Sequence, residues 1–172
     1  IQLILKQLLY DSKNPLLFSS GFFLYFFILF FFLYYLFRNS YKSRAVILSL
    51  FSLYFFYKAS GSFVVLVLIS AIIDFVLSNL IFRQKIFLYK KLLLSLSVIF
   101  NLGLLFYFKY TNFFIELINT FGTSHFQFLN LILPIGISFY TFENISYTID
   151  VYKGEIKPEK KIVNYLLFLS FF

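Results

Sequence analysis

The sequence has no cysteine, no methionine and no tryptophan, and only three prolines and six glycines in 172 residues. Without cysteine there can be no disulfide and no thiolate metal site. With His125 as the single histidine, a zinc site or a Cys–His nucleophile pair is also excluded within these residues. The glycines form neither a GxGxxG nor a Walker pattern, which removes the usual cradle for a nucleotide phosphate. Charge is scarce as well: 13% of residues are charged, against about a quarter in soluble domains.

What is present in excess is apolar. Hydrophobic residues make up 61% of the chain and aromatic residues 25%, gathered into long uncharged runs. Residues 15–37 and 92–108 carry no charge, and a spanning helix needs about 20 apolar residues. The expected fold is therefore all-α, a polytopic integral membrane bundle. The net charge of +8 does not indicate nucleic acid, because the cations sit in short clusters at the ends of apolar runs, where membrane topology places them. The missing initiator methionine and the unfinished apolar run at 162–172 predict one membrane domain over 1–172, truncated at both ends.

Along the chain, residues 1–10 read as a short interfacial helix, with Asn14-Pro15 turning into a first span at about 16–37. Arg38, Lys42 and Arg44 form a basic loop before a short second helix, about 45–57, lengthened by snorkelling Arg44 and Lys58. Ser60-Gly61 breaks the chain ahead of a third helix, about 62–82, which contains Asp74 and Asn79. A second basic loop at 83–91 precedes a span at 92–108, a more polar helix at 112–121 and a loop at 123–130 containing His125. A helix at 133–152, with Pro134 near its first turn, leads through a charged connector, 153–161, into the last apolar run. The richer basic loops fall on one side if the N-terminus is extracytoplasmic.

The helix at 133–152 carries groups that hydrocarbon does not tolerate unpaired: Tyr140, Glu143, Asn144, Tyr147 and Asp150. Spacings of three, four and three put Tyr140, Glu143, Tyr147 and Asp150 on one face, with Asn144, Thr141 and Thr148 extending the polar arc. Phe142, Ile145 and Ile149 lie opposite. Two readings stay open: an arc that lines a chamber or channel, or one that makes interhelical hydrogen bonds. Asp74 and Asn79 make a weaker pair, for which ordinary packing is the better reading.

Four segments carry a resemblance to a known family. LPIGISFYTFENISYTIDVYKGEIKP at 133–158 is similar to the signature segment of the membrane-bound O-acyltransferases (MBOAT), specifically their bacterial alginate and cell-surface glycan O-acetylation branch. NLGLLFYFKYTNFF at 101–114, PLLFSSGFFLYFFILFFFLYY at 15–35 and LSLFSLYFFYKASG at 48–61 also resemble that branch. Specificity rests mainly on 101–114 and 133–158. The resemblance implies a helical bundle around a tunnel, in the bacterial inner membrane, handing an acyl group (usually acetyl) to an extracytoplasmic polysaccharide. Acetyl-CoA is the natural donor on the cytoplasmic side, no cofactor is expected to stay bound, and periplasmic acetyltransferase proteins are implied partners.

The family's catalytic histidine lies beyond Phe172, so these residues are expected to be inactive alone, and His125 does not inherit its role. Tyr140, Glu143, Asn144, Tyr147 and Asp150 become candidate tunnel-lining residues, Glu143 standing where glutamine is frequent in the family. The competing classes are a transporter or flippase-like protein, and a non-catalytic membrane scaffold subunit.

Overall fold

A computed structural model describes Tyr10 and residues 21–122 and 126–170, with the backbone alone of Phe22. The expected interfacial helix at 1–10 (all but Tyr10), the beginning of the first span, and His125 lie outside the described residues. The described residues are all-α, without a strand. The helices are α1 (Gly21–Leu36), α2 (Tyr41–Ser60), α3 (Val64–Arg83), α4 (Phe87–Leu105), α5 (Thr111–Phe121), α6 (Ile137–Lys153) and α7 (Ile162–Ser170). A 3-10 turn, Gly61–Phe63, links α2 to α3, and a π-helical segment, Phe106–Tyr110, joins α4 to α5. At 1.5 Å per residue, α2, α3 and α4 are each about 30 Å long, which matches a bilayer's hydrocarbon core. The chain is a membrane protein of spanning helices.

Two compact units divide it: residues 1–75 with 159–172, and residues 76–158. In the first unit α1 packs on α2 through an aromatic ladder. Phe26 lies 4.7 Å from Phe51 and 5.1 Å from Tyr54, ring centre to ring centre, and Phe30 lies 5.1 Å from Phe51. Another face of α2 receives α7. Ala45 and Ser49, one turn apart and both buried, let the backbones approach closely. Ser49 Oγ reaches its own helix at Ala45 O (2.9 Å) and α7 at Val163 O (3.2 Å).

α2 is longer than the sequence implies. Ser40 caps it by accepting a hydrogen bond from the Ser43 amide at 3.3 Å, so the helix starts at Tyr41 and takes Lys42 and Arg44 into its first turns. The expected loop shrinks to the residues around Arg38, and no snorkelling is needed to reach spanning length. The expected break at Ser60-Gly61 is present. Gly61 has φ of +62°, its N–H closes the helix on Tyr57 O, and a Cβ there would lie 2.7 Å from Tyr10 Cε1.

In the second unit α4 packs along α6. The expected basic loop at 83–91 is also shorter: only 84–86 leave the helical state, and Lys90 and Lys91 begin α4. From Phe87 the helical run continues to Phe121, 35 residues in all, exceeding the hydrocarbon thickness by roughly 20 Å. That excess accommodates the polar α5, with Asn112, Glu116 and Asn119.

After α5 the chain returns extended, and two asparagines hold it. Asn119 accepts from the Phe126 N–H (2.7 Å) and donates to its carbonyl (2.8 Å). Asn112 does the same for Leu129, at 3.0 and 2.8 Å. Seven helical residues rise about 10.5 Å, close to the length of three extended residues, so the two spacings match.

Candidate functional site

α6 is the element on which the candidate residues converge, and its ends are defined by the chain's local chemistry. Pro134 lies outside it: Gly136, with φ of +77°, holds the N-cap position and starts the helix at Ile137, four residues later than the apolar pattern implies. At the other end Gly154, with φ of +80°, completes a Schellman motif. Its N–H donates to Val151 O (3.1 Å), and the Glu155 N–H donates to Asp150 O (3.0 Å). Lys90 Nζ donates to Tyr152 O (3.4 Å) and sits 5.7 Å from the Tyr152 ring centre, placing a cation at the negative end of the helix dipole.

Ile137, Tyr140, Thr141, Asn144, Tyr147, Thr148 and Val151 are buried, a stripe that repeats every three and four residues. Its middle is polar. Asn144 Nδ2 donates to Asn101 Oδ1 on α4 at 3.3 Å, and Asn101 Nδ2 donates to Ser97 O at 3.0 Å. All three residues are fully buried. The hydroxyls of Tyr140, Thr141 and Thr148 are also buried, with no partner among the described residues.

The burial axis passes through Asn144, about 100° around the helix from Glu143. Of the five candidates, Tyr140, Asn144 and Tyr147 therefore face inward, whereas Glu143 and Asp150 stand half-buried at the margin. Glu143 borders a second surface, largely apolar, on which a few polar groups stand. With Ser138, Phe139, Phe142 and Ser146 it lines a shallow cavity of about 500 Å³. The Oε2 atom of Glu143 is buried and has no partner among the described residues. At the N-terminal end of this surface Lys109, from the π segment, donates to Ser138 Oγ at 3.4 Å. π segments recur at functional sites because they re-aim side chains that a regular helix would point elsewhere. The surface thus offers one cation, one carboxylate, two hydroxyls and two aromatic rings.

Asp74 and Asn79 do not form a site together. Asp74 is fully buried in line with Ser70 and Ser78, while Asn79, five residues on, points roughly 140° away and is half-buried. The sequence reading missed Asn101. Its signal was Ser97 and Asn101 one turn apart within an otherwise apolar span. It also missed the Asn112–Asn119 pair, whose seven-residue spacing places both on one helix face.

No family model matches the chain, and no solved structure matches it. Among curated proteins, it is 45% identical over 83 residues to the probable alginate O-acetylase AlgI of Pseudomonas aeruginosa, a match covering 46% of this chain and 16% of the relative. The AlgI of Azotobacter vinelandii is 43% identical over 83 residues, covering 46% of this chain and 17% of the relative. The peptidoglycan O-acetyltransferase of Helicobacter pylori is 39% identical over 106 residues, covering 62% of this chain and 20% of the relative. The chain therefore spans under a quarter of the length of these relatives. Its resemblance to the membrane-bound O-acyltransferases is borne out over that part, where its relatives are O-acetylation proteins named for two different glycans.

Proposed function

We propose that the chain is part of a membrane-bound O-acyltransferase that moves an acyl group, acetyl by analogy with its relatives' names, onto hydroxyls of a cell-surface polysaccharide. The observation that carries this reading is the similarity, at 39–45% identity, to O-acetylation proteins named for alginate and for peptidoglycan. What those relatives share by name is O-acetylation, and the glycan differs. Acetyl-CoA supplied from the cytoplasm is the proposed donor, the polysaccharide outside the membrane the acceptor, and periplasmic acetyltransferase proteins the proposed partners.

The proposed topology is multi-pass in the bacterial inner membrane with an extracytoplasmic N-terminus. Arg38 and Lys42, Arg83 and Lys85, and Lys157 to Lys161 then lie on the cytoplasmic side. The 122–136 connection and the first turn of α6 lie outside, so Ser138, Glu143 and Ser146 descend from the side where a glycan would arrive. Acyl transfer needs a base for the attacking hydroxyl and hydrogen-bond donors for the developing oxyanion. The resemblance assigns the base to a histidine beyond Phe172. The part proposed for this chain is positioning: Tyr140, Asn144 and Tyr147 fix α6 against α4, and Glu143, with Asp150 a helical repeat below it, forms the polar wall of a tunnel.

The test is the ester-linked acetyl content of cell-surface polysaccharides in a strain lacking the gene. The reading expects acetate released by mild alkali to fall severalfold and to return on complementation with the full-length gene. Unchanged acetylation, together with altered uptake or export of a solute, would favour a transporter.

A further inference from the structure

We propose that the first unit holds an anionic phospholipid, with one acyl chain in an aromatic groove between α1 and α2 and its phosphate on Arg44. This is independent of the acyl-transfer reading. The groove has a volume of about 340 Å³ and is walled by Phe23, Phe27, Phe30, Phe31 and Tyr34 of α1 and by Phe51 of α2. From Phe23 to Tyr34 it follows about 16 Å of helix axis, close to the hydrocarbon depth of one bilayer leaflet, roughly half of ~30 Å. That length suits a single acyl chain. The lining is aromatic almost throughout and has no charged group to repel one.

The charge lies at one end only. Arg44 Nη1 donates to Tyr34 OH at 3.4 Å, and the guanidinium carbon sits 5.5 Å from the Tyr34 ring centre, so Arg44 is held against the groove's interfacial end. Its Nε is buried and has no partner among the described residues. Arg38, two residues beyond α1, donates through Nη1 to Tyr35 OH at 3.1 Å. None of Arg38, Lys42 and Arg44 has a carboxylate partner among the described residues. A guanidinium with an unused donor, two further cations and an acyl-length apolar slot together complement a phosphate headgroup carrying a hydrocarbon tail. Arginine binds phosphate with two parallel hydrogen bonds, and cations just outside the hydrocarbon strengthen attraction to anionic lipid.

The experiment uses the full-length protein purified in detergent and titrated with phosphatidylglycerol or phosphatidylcholine of matched chains, with bound lipid counted by native mass spectrometry. Phosphatidylglycerol should bind at least about tenfold more tightly than phosphatidylcholine, in line with a charge-assisted phosphate contact. Arg44→Gln should remove most of that preference, and Arg44→Lys should retain part of it. Equal binding of the two lipids, or an undiminished preference in Arg44→Gln, would overturn the proposal. A photoreactive benzoylphenylalanine at Phe27 provides a second readout that needs no loss of function. An adduct of phospholipid mass supports the lipid, whereas a cross-link to a second copy, or no lipid adduct at all, would overturn it.

Discussion

At Asn101 and Asn144 the bilayer makes an ordinary amide pair consequential. Water cannot take over from a lost partner inside hydrocarbon, so each amide depends on its neighbouring helix. Measured interhelical hydrogen bonds in membranes average about 0.6 kcal/mol and reach about 1.7. A double-mutant cycle with Asn101→Ala and Asn144→Ala, followed by unfolding of the full-length protein in detergent, should give a coupling energy in that range. A coupling near zero would mean that the 3.3 Å contact adds nothing to the packing of α4 on α6. Gly61 makes a sharper claim. Its φ of +62° and the Tyr10 ring exclude a side chain, so Gly61→Ala should destabilise the protein by about 1–3 kcal/mol in the same measurement. These two effects differ in kind, since the first removes a shared bond and the second forces a strained backbone.

At the scale of elements, the extended segment after α5 depends on two side chains. Asn112 and Asn119 each complete the backbone hydrogen bonding of one residue, a job a second strand would do in a sheet. Asn119→Ala should free the Phe126 N–H and Asn112→Ala the Leu129 N–H, each accelerating amide exchange at that position by about two- to tenfold, as loss of a solvent-exposed hydrogen bond worth ~0.5–1.5 kcal/mol implies. Exchange that stays unchanged at both amides would show that other contacts hold the segment. Much of α6 is legible in the sequence, because a polar stripe at three-and-four spacing in an apolar chain is visible from residue order alone. Its burial axis was not legible, because that depends on where Asn101 of α4 stands. For this reason Asn144 moves to the centre of the buried face and Glu143 to its margin. The start of α2 was misread for a related reason: Lys42 and Arg44 look like loop residues, but the Ser40 cap begins the helix ahead of them.

At the scale of the whole molecule, the alternation of basic and neutral connections implies a definite sidedness. These 172 residues contain no cysteine, so single cysteines introduced into them can be read by labelling with a membrane-impermeant maleimide, after replacement of any cysteine elsewhere in the full-length protein. Cysteines in place of Ser62 and Gln127 should react from outside intact cells, and those at Asn39, Gln84 and Lys157 only after permeabilisation; the reverse pattern would invert the proposed topology. The overall class followed from composition because the shortage of charge and the length of the apolar runs admit few alternatives. The chemistry did not follow in the same way, because no base and nucleophile are brought together among the described residues.

Acyl transfer is tested most directly in membrane vesicles containing the full-length protein and the cell's periplasmic acetyltransferase proteins, supplied with radiolabelled acetyl-CoA and the cell's own deacetylated polysaccharide. The account predicts label in alkali-labile ester on the polysaccharide, with Glu143→Ala lowering the rate by about tenfold or more, as loss of a positioning wall implies. Absence of label on the polysaccharide, with the protein folded and the donor intact, would contradict it.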